Sequence, residues 1–280
     1  MIAILGGLGA ACCWAAATLC TSRSSRMIEA PSVLAWVMLV GFALLTPVVA
    51  VSGVPHVDGA TWAWLVSSGA VNVLGLLLVY AALRRGKVGI VAAIASTEGA
   101  VTAVIAAIAG EPLRAATMAT LALIAAGIFL AALAPDHGPV NVHAGRAALL
   151  AAGAALLFGF GLYAAGHVSD QVAAVWVAYP ARIIGTLVVA APLAASRRLR
   201  ITRKALPLVA VAGVCEVVGF ISFTFGARHG IAIAAVLASQ FAAISAVAAY
   251  ALFREKLHRL QIAGVVSILV GVGLLTALRA

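Results

Sequence analysis

Charged residues come in clusters along this chain, and between the clusters lie almost charge-free runs of about twenty residues, the length at which an α-helix crosses some 30 Å of hydrocarbon. Polar punctuation marks ten such runs, over approximately 4–20, 33–52, 62–82, 88–109, 115–133, 147–166, 172–195, 206–226, 231–253 and 260–277. Each is predicted to be a membrane-spanning helix, and ten of them leave only short loops and no soluble domain. The opening stretch MIAILGGLGA lacks the basic region of a cleaved signal peptide, and nine further runs follow it. It is read as the first helix.

Composition points the same way. Of the 280 residues 65% are hydrophobic and 9% charged, against roughly 25% charged in a soluble domain. So few charges cannot give a core a polar skin, which makes the chain an integral membrane protein. The net charge of +10 would suit nucleic acid, but the bases sit in short inter-helix loops and report membrane topology instead. Cys12, Cys13 and Cys20 share the first run and Cys215 lies in the eighth. They fit no metal or redox spacing and read as small packing residues. The six histidines fall in loops or at helix ends, so no clustered metal site and no cofactor is expected.

A fixed offset of 144 positions sets Glu111 opposite Glu255, Leu113 opposite Leu257, Gly127 opposite Gly271, Gly75 opposite Gly219, Arg84 opposite Arg228 and Gly86 opposite Gly230. The chain therefore reads as two repeats of five helices, over 1–134 and 145–280. An odd number of spans makes the second repeat enter the membrane from the other side, so corresponding loops should carry opposite basic bias. Loop 1, after the first run, holds Arg23 and Arg26, and its counterpart loop 6 holds no Lys or Arg. Loop 2 holds none, and loop 7 holds Arg197, Arg198, Arg200, Arg203 and Lys204. Loop 3 has Arg84, Arg85 and Lys87 against Arg228 in loop 8, and loop 4 has Arg114 against Arg254, Lys256 and Arg259 in loop 9. The odd loops are the basic ones. The positive-inside rule then puts them in the cytoplasm and both termini on the other side. The expected fold is an all-α membrane protein of ten transmembrane helices in two inverted repeats, the plan of secondary transporters with a midplane site.

Glu111 precedes Pro112, a residue suited to the first turn of a helix, and Glu255 holds the matching place before the tenth run. Both are expected to be N-terminal caps of the helices that follow them, since a helix start favours a carboxylate. A substrate or proton role is the other reading. The segments AAIASTEGAVTAVIAAIAGEPLRAATMATLALIAAGIFL and VLASQFAAISAVAAYALFREKLHRLQIAGVVSILVGVGLL resemble the repeat ends of the EamA branch of the drug/metabolite transporter superfamily. Each has a small-residue helix, a glutamate followed by leucine, then a glycine-containing helix. The resemblance implies helices 1 to 4 and 6 to 9 around a central cavity, with helices 5 and 10 peripheral. Gly99 stands where that family often has a proline kink, which implies a straighter fourth helix.

Charge inside a membrane is costly and points to function. Glu98, Arg182 and Glu216 lie near mid-span, with Asn72 opposite Glu216 in the repeat. Arg182 reads either as a structural partner of the glutamates or as a ligand for a substrate carboxylate. Together the three would complement a zwitterionic amino acid. Trp14, Tyr80, Tyr163, Trp176 and Tyr179 are candidates to offer ring faces to an apolar group or an organic cation, whereas Trp62 and Trp64 read as interfacial anchors. Gln240 and Ser239, with Ser96 and Thr97 opposite, supply hydrogen-bonding groups. With no nucleotide-binding loop of the GxxxxGK[ST] type, energy is expected from a gradient; Glu98 or Glu216 is the candidate site for coupling to protons, and facilitated diffusion or exchange is equally compatible. The expected function is export of small organic metabolites across a bacterial-type inner membrane. Amino acids lead, as in the YddG-type aromatic amino-acid exporters. Export of organic cations or drugs is the alternative, and an intramembrane lipid-modifying enzyme is the rival of another class.

Overall fold

The computed structural model describes residues 1–83, 88–112, 114–132 and 144–245, together with positions 248, 259, 260, 263, 266, 267, 270, 271 and 274. Those residues form helices: α1 (Ile2–Ser24), α2 (Ala30–Ser52), α3 (Gly59–Leu83), α4 (Val88–Ala95), α5 (Glu98–Ile108), α6 (Ala115–Ala132), α7 (Ala144–His167), α8 (Ala174–Gly185), α9 (Ala191–Ala195), α10 (Leu206–Ala227) and α11 (Ile231–Ala238). A π-helical turn, Thr186–Ala190, joins α8 to α9. Among the described residues six helices are long and apolar enough to cross a membrane: Ile2–Ser24, Ala30–Ser52, Gly59–Leu83, Gly145–His167, Ala174–Ala195 and Leu206–Ala227. They coincide with six of the charge-free runs. Prolines at the first turns of α2, α9 and α10 fix helical φ where no backbone donor is needed. Large apolar side chains such as Leu5, Val66, Val104, Leu149, Leu156 and Leu187 stay exposed on the outside, a surface suited to lipid rather than water.

The fourth and ninth runs are each interrupted. The fourth divides into α4 and α5 at a turn over Ser96–Thr97, and the ninth turns at Ser239–Gln240 before becoming helical again at 241–245. Gly99 therefore does not bring the straighter fourth helix expected of it. The turn is made without proline: Thr97 Oγ1 donates to Ile94 O at 2.7 Å and Ser239 Oγ to Val236 O at 2.8 Å. Such back-bonding to the preceding turn competes with the regular ladder. What Gly99 does supply is a close crossing, because a Cβ there would stand 2.5 Å from Ser239 Oγ and 2.7 Å from Ala235 O. The two interrupted segments meet where they break. The tenth run lies largely outside the described residues, as does Glu255.

Helix contacts come in pairs that exchange under the 144-residue offset. The α1 contact with α10 matches that of α3 with α7, and α2 with α10 matches α8 with α3. The α2–α8 contact maps onto itself. Hydrogen bonds also sort the loops to two ends. Trp176 Nε1 donates to Gly53 O at 2.9 Å, Thr61 Oγ1 to Gln171 Oε1 at 2.6 Å, and Arg228 to Ser169 O and Val172 O at 2.7 and 2.9 Å, gathering loops 2, 6 and 8. At the other end of α2, Ser32 Oγ donates to Arg198 O at 3.4 Å and Trp36 Nε1 to Arg200 O at 3.0 Å, tying the start of α2 to loop 7.

Glu111 joins the first group, in a way the sequence does not anticipate. Its carboxylate accepts the backbone N–H of Ala232 at 3.1 Å, so it serves the first turn of α11 and not the helix that follows it. Gly110, at φ 94°, turns the chain out of α5 just before it, and α6 begins only at Ala115.

Candidate functional site

A cavity of about 800 Å³, counting its open mouth, lies between the α1–α10 pair and the α3–α7 pair. Its walls are mostly apolar. Trp14 and Thr18 come from α1, Asn72, Leu76 and Tyr80 from α3, Phe158 and Leu162 from α7, and Glu216 and Phe220 from α10. The interrupted helices complete it with Ala95, Glu98 and Phe241. From Glu98 and Glu216 at mid-depth the lining runs to Thr21 and Leu83, in the last turns of α1 and α3. That is the end of the molecule at which loop 7 also lies.

Glu98 is the unusual wall residue. It opens α5, directly after the turn, and is only 4% exposed. The ion pairs found among the described residues are Arg182–Glu216 and Arg228–Asp170, so no described base stands beside it. The partial positive charge of the helix start compensates its carboxylate in part. A carboxylate so buried is suited to taking up a proton or a cation.

Glu216 is differently placed. Its Oε2 lies 3.5 Å from Nη2 of Arg182, whose side chain is completely buried. The guanidinium sits outside the cavity lining, behind Glu216, where its Nη1 reaches the Met38 sulfur at 3.4 Å. Its Nε finds no hydrogen-bond partner. The helix after Arg182 continues through the π-helical turn, a distortion that often accompanies functional side chains. Arg182 thus stands in an ion pair with Glu216, in line with one of the two readings left open for it. It does not present a guanidinium to the cavity.

Of the ten expected binding residues, Trp14, Asn72, Tyr80, Glu98 and Glu216 line the cavity. Tyr163, Trp176 and Tyr179 do not. They belong to an aromatic layer toward the end where loops 2 and 6 meet. Trp176 stands edge-on to both Trp62 and Tyr179, and Tyr179 stacks on Phe42 at 5.7 Å while its hydroxyl meets Thr46 Oγ1 at 3.1 Å. Tyr163 packs against Trp64 and His167 in the same layer. Trp62 and Trp64, both half-buried at the start of α3, pack on the rings of this layer. Gln240 is buried at the second helix break, outside the lining, with its Nε2 unpartnered.

Phe158, Phe220 and Phe241 were missed because an apolar ring in an apolar run carries no polar signal. One signal existed for Phe158: it is the repeat equivalent of Trp14. Each of these two rings lies against a glycine, and the glycines are themselves repeat equivalents. A Cβ at Gly219 would meet Trp14 Nε1 at 2.6 Å, and one at Gly75 would meet Phe158 Cε1 at 2.5 Å.

The sequence profile of the EamA-like transporter family matches this chain twice, over residues 1–133 and again over 145–277. The two matches meet where the repeat divides the chain. None of the curated proteins matches it in sequence. A solved crystal structure superposes with a TM-score of 0.77 at 18% identity, covering 99% of this chain and 96% of its own, which is a likeness of fold. The paired helix contacts, the cavity between them and the twofold profile match lead to one conclusion: the chain belongs to the EamA-like transporter family and is a multi-pass membrane protein.

Proposed function

We propose that this chain is a secondary transporter of small organic cations, built as ten helices in two inverted repeats of five and working by alternating access. The observation that carries the cation reading is Glu98, a buried carboxylate on the cavity wall with no described base beside it. An ammonium group of the cargo is the natural counter-ion. Apolar and aromatic walls suit the rest of such a molecule. The zwitterion expectation needed Arg182 on the wall to hold a carboxylate, and Arg182 lies behind Glu216 instead. Amino acids therefore yield to organic cations as the leading cargo.

Orientation and coupling complete the proposal. The charge bias of the loops assigns loops 1, 3, 5, 7 and 9 to the cytoplasm and both termini to the other side of a bacterial-type inner membrane. The cavity reaches toward the loop 7 end, which suits loading from the cytoplasm and release outside. Protons arriving from outside would exchange with the cargo at Glu98.

Counterflow in proteoliposomes tests the cargo class, with labelled 2-phenylethylammonium, phenylalaninamide and phenylalanine compared side by side. Both cations are expected to accumulate and phenylalanine to enter poorly. Saturable uptake of phenylalanine equal to that of the cations overturns the proposal in favour of an amino-acid carrier.

A further inference from the structure

We infer that Trp14 and Phe158 form the two sides of an aromatic slot that selects cations carrying a flat ring. This rests on the cation reading above and adds what the rest of the molecule must look like. Three observations converge on it. The two residues hold equivalent places in the repeats, and both line the one cavity. They come from different walls, Trp14 from the α1–α10 pair and Phe158 from the α3–α7 pair, so the pseudo-symmetry sets them on opposite sides of the cavity. Each ring is seated where only a glycine leaves room, Trp14 on Gly219 and Phe158 on Gly75.

Seating of this kind fixes ring position. Trp14 also packs on two rings, Phe220, which lines the same cavity, and the buried Phe223, with ring centroids 6.0 and 6.3 Å away, so the indole is held in place. Aromatic residues from two walls, with Glu98 on the same cavity, suit a ring and a cation in one molecule: the ring between Trp14 and Phe158, the ammonium at the carboxylate. Aromatic pairs prefer stacked or edge-to-face geometry and gain more than buried area alone provides. A saturated ring of the same size fills the volume without that gain. Phe158 thus becomes a specificity-determining residue.

The test is a binding comparison on the purified, detergent-solubilised full chain with two permanent cations, (2-phenylethyl)trimethylammonium and (2-cyclohexylethyl)trimethylammonium. The wild type should prefer the phenyl probe by about three- to tenfold. Phe158→Leu should abolish the preference and Phe158→Trp, which copies the repeat equivalent, should keep it. Gly75→Ala should also abolish it, because the ring is displaced without being removed. A merely structural role for Phe158 would weaken both probes equally. Equal affinity of the two probes for wild type, including failure of both to bind, overturns the slot, as does a preference untouched by Phe158→Leu and Gly75→Ala. Glu98→Gln separates the two ideas. If it leaves binding of both probes unchanged, the cation reading fails. If it weakens both while the phenyl preference is absent, only the slot fails.

Discussion

Met38 and Arg182 are repeat equivalents that touch each other, the guanidinium Nη1 standing 3.4 Å from the Met38 sulfur across the α2–α8 crossing. Equivalent residues can meet only near a pseudo-two-fold axis. The glycines beside them obey the same relation: a Cβ at Gly41 would stand 2.7 Å from Arg182 Cδ, and one at Gly185 would collide with Met38 Cγ. The two sides thus share one packing plan, with a charged residue on one side and a neutral residue on the other. The charge is balanced within the second repeat by Glu216, whose own equivalent is the neutral Asn72.

The pair is therefore expected to be separable from the packing. Arg182→Met alone leaves Glu216 buried without its base and should cost about 3 kcal/mol of stability. Adding Glu216→Asn makes the second repeat match the first, and should recover most of that loss. Thermal unfolding of the two variants in one detergent measures it. A double variant as unstable as the single one would show that the charges themselves stabilise the crossing.

The Glu111 contact with Ala232 links the two repeats at one end of the molecule. Glu111→Gln weakens a charged cap and is expected to lower stability by about 1 kcal/mol while leaving cation affinity in the cavity within about twofold, since the residue is absent from the cavity wall. Melting temperature and a binding isotherm on the same sample check both halves of the statement. Loss of binding in a stable variant would bring Glu111 into the transport site.

Asp58 gives a pH dependence outside the membrane. The Thr61 hydroxyl and backbone amide beside it hold its carboxyl below the ordinary range, the amide donating at 2.9 Å. A lowered folded value means that the contribution is present above the usual carboxylate range, about pH 4, and is lost as the pH falls through the depressed value. Asp58→Ala should flatten the decline of melting temperature with acidity below about pH 4. Identical slopes in wild type and variant would remove Asp58 from the cap of α3.

Much of this architecture was legible in the chain. Charge-free runs locate α1, α2, α3, α7 and α10 to within a few residues because the cost of charge in hydrocarbon is large and local. Glu98 and Glu216 stood out for the same reason, and Asn72 as the repeat counterpart of Glu216. Which way a ring points was not legible. Tyr163, Trp176 and Tyr179 lie in helices apolar on most sides, so periodicity does not separate a cavity face from a packed face. The breaks at Ser96–Thr97 and Ser239–Gln240 depend on side-chain back-bonds available to any serine or threonine. The partner of Glu111 lies 121 residues away, beyond any local pattern.

Opposite labelling of the two ends tests the inverted arrangement. In a background without native cysteines, Val54→Cys in loop 2 and Arg200→Cys in loop 7, both at exposed positions, should react with an impermeant thiol reagent from opposite sides of intact cells. Val54→Cys should label from outside. Reaction of both from the same side contradicts the assignment of odd loops to the cytoplasm.

The central claim is that Glu98 is the carboxylate at which an organic cation exchanges with protons, and one measurement addresses it directly: uptake of labelled (2-phenylethyl)trimethylammonium into proteoliposomes driven by an imposed proton gradient. Wild type should concentrate the cation, and Glu98→Gln, matched for melting temperature and reconstitution, should take it up about tenfold more slowly or less, as expected for loss of a charged partner. Proton-driven uptake by Glu98→Gln at the wild-type rate would contradict the account.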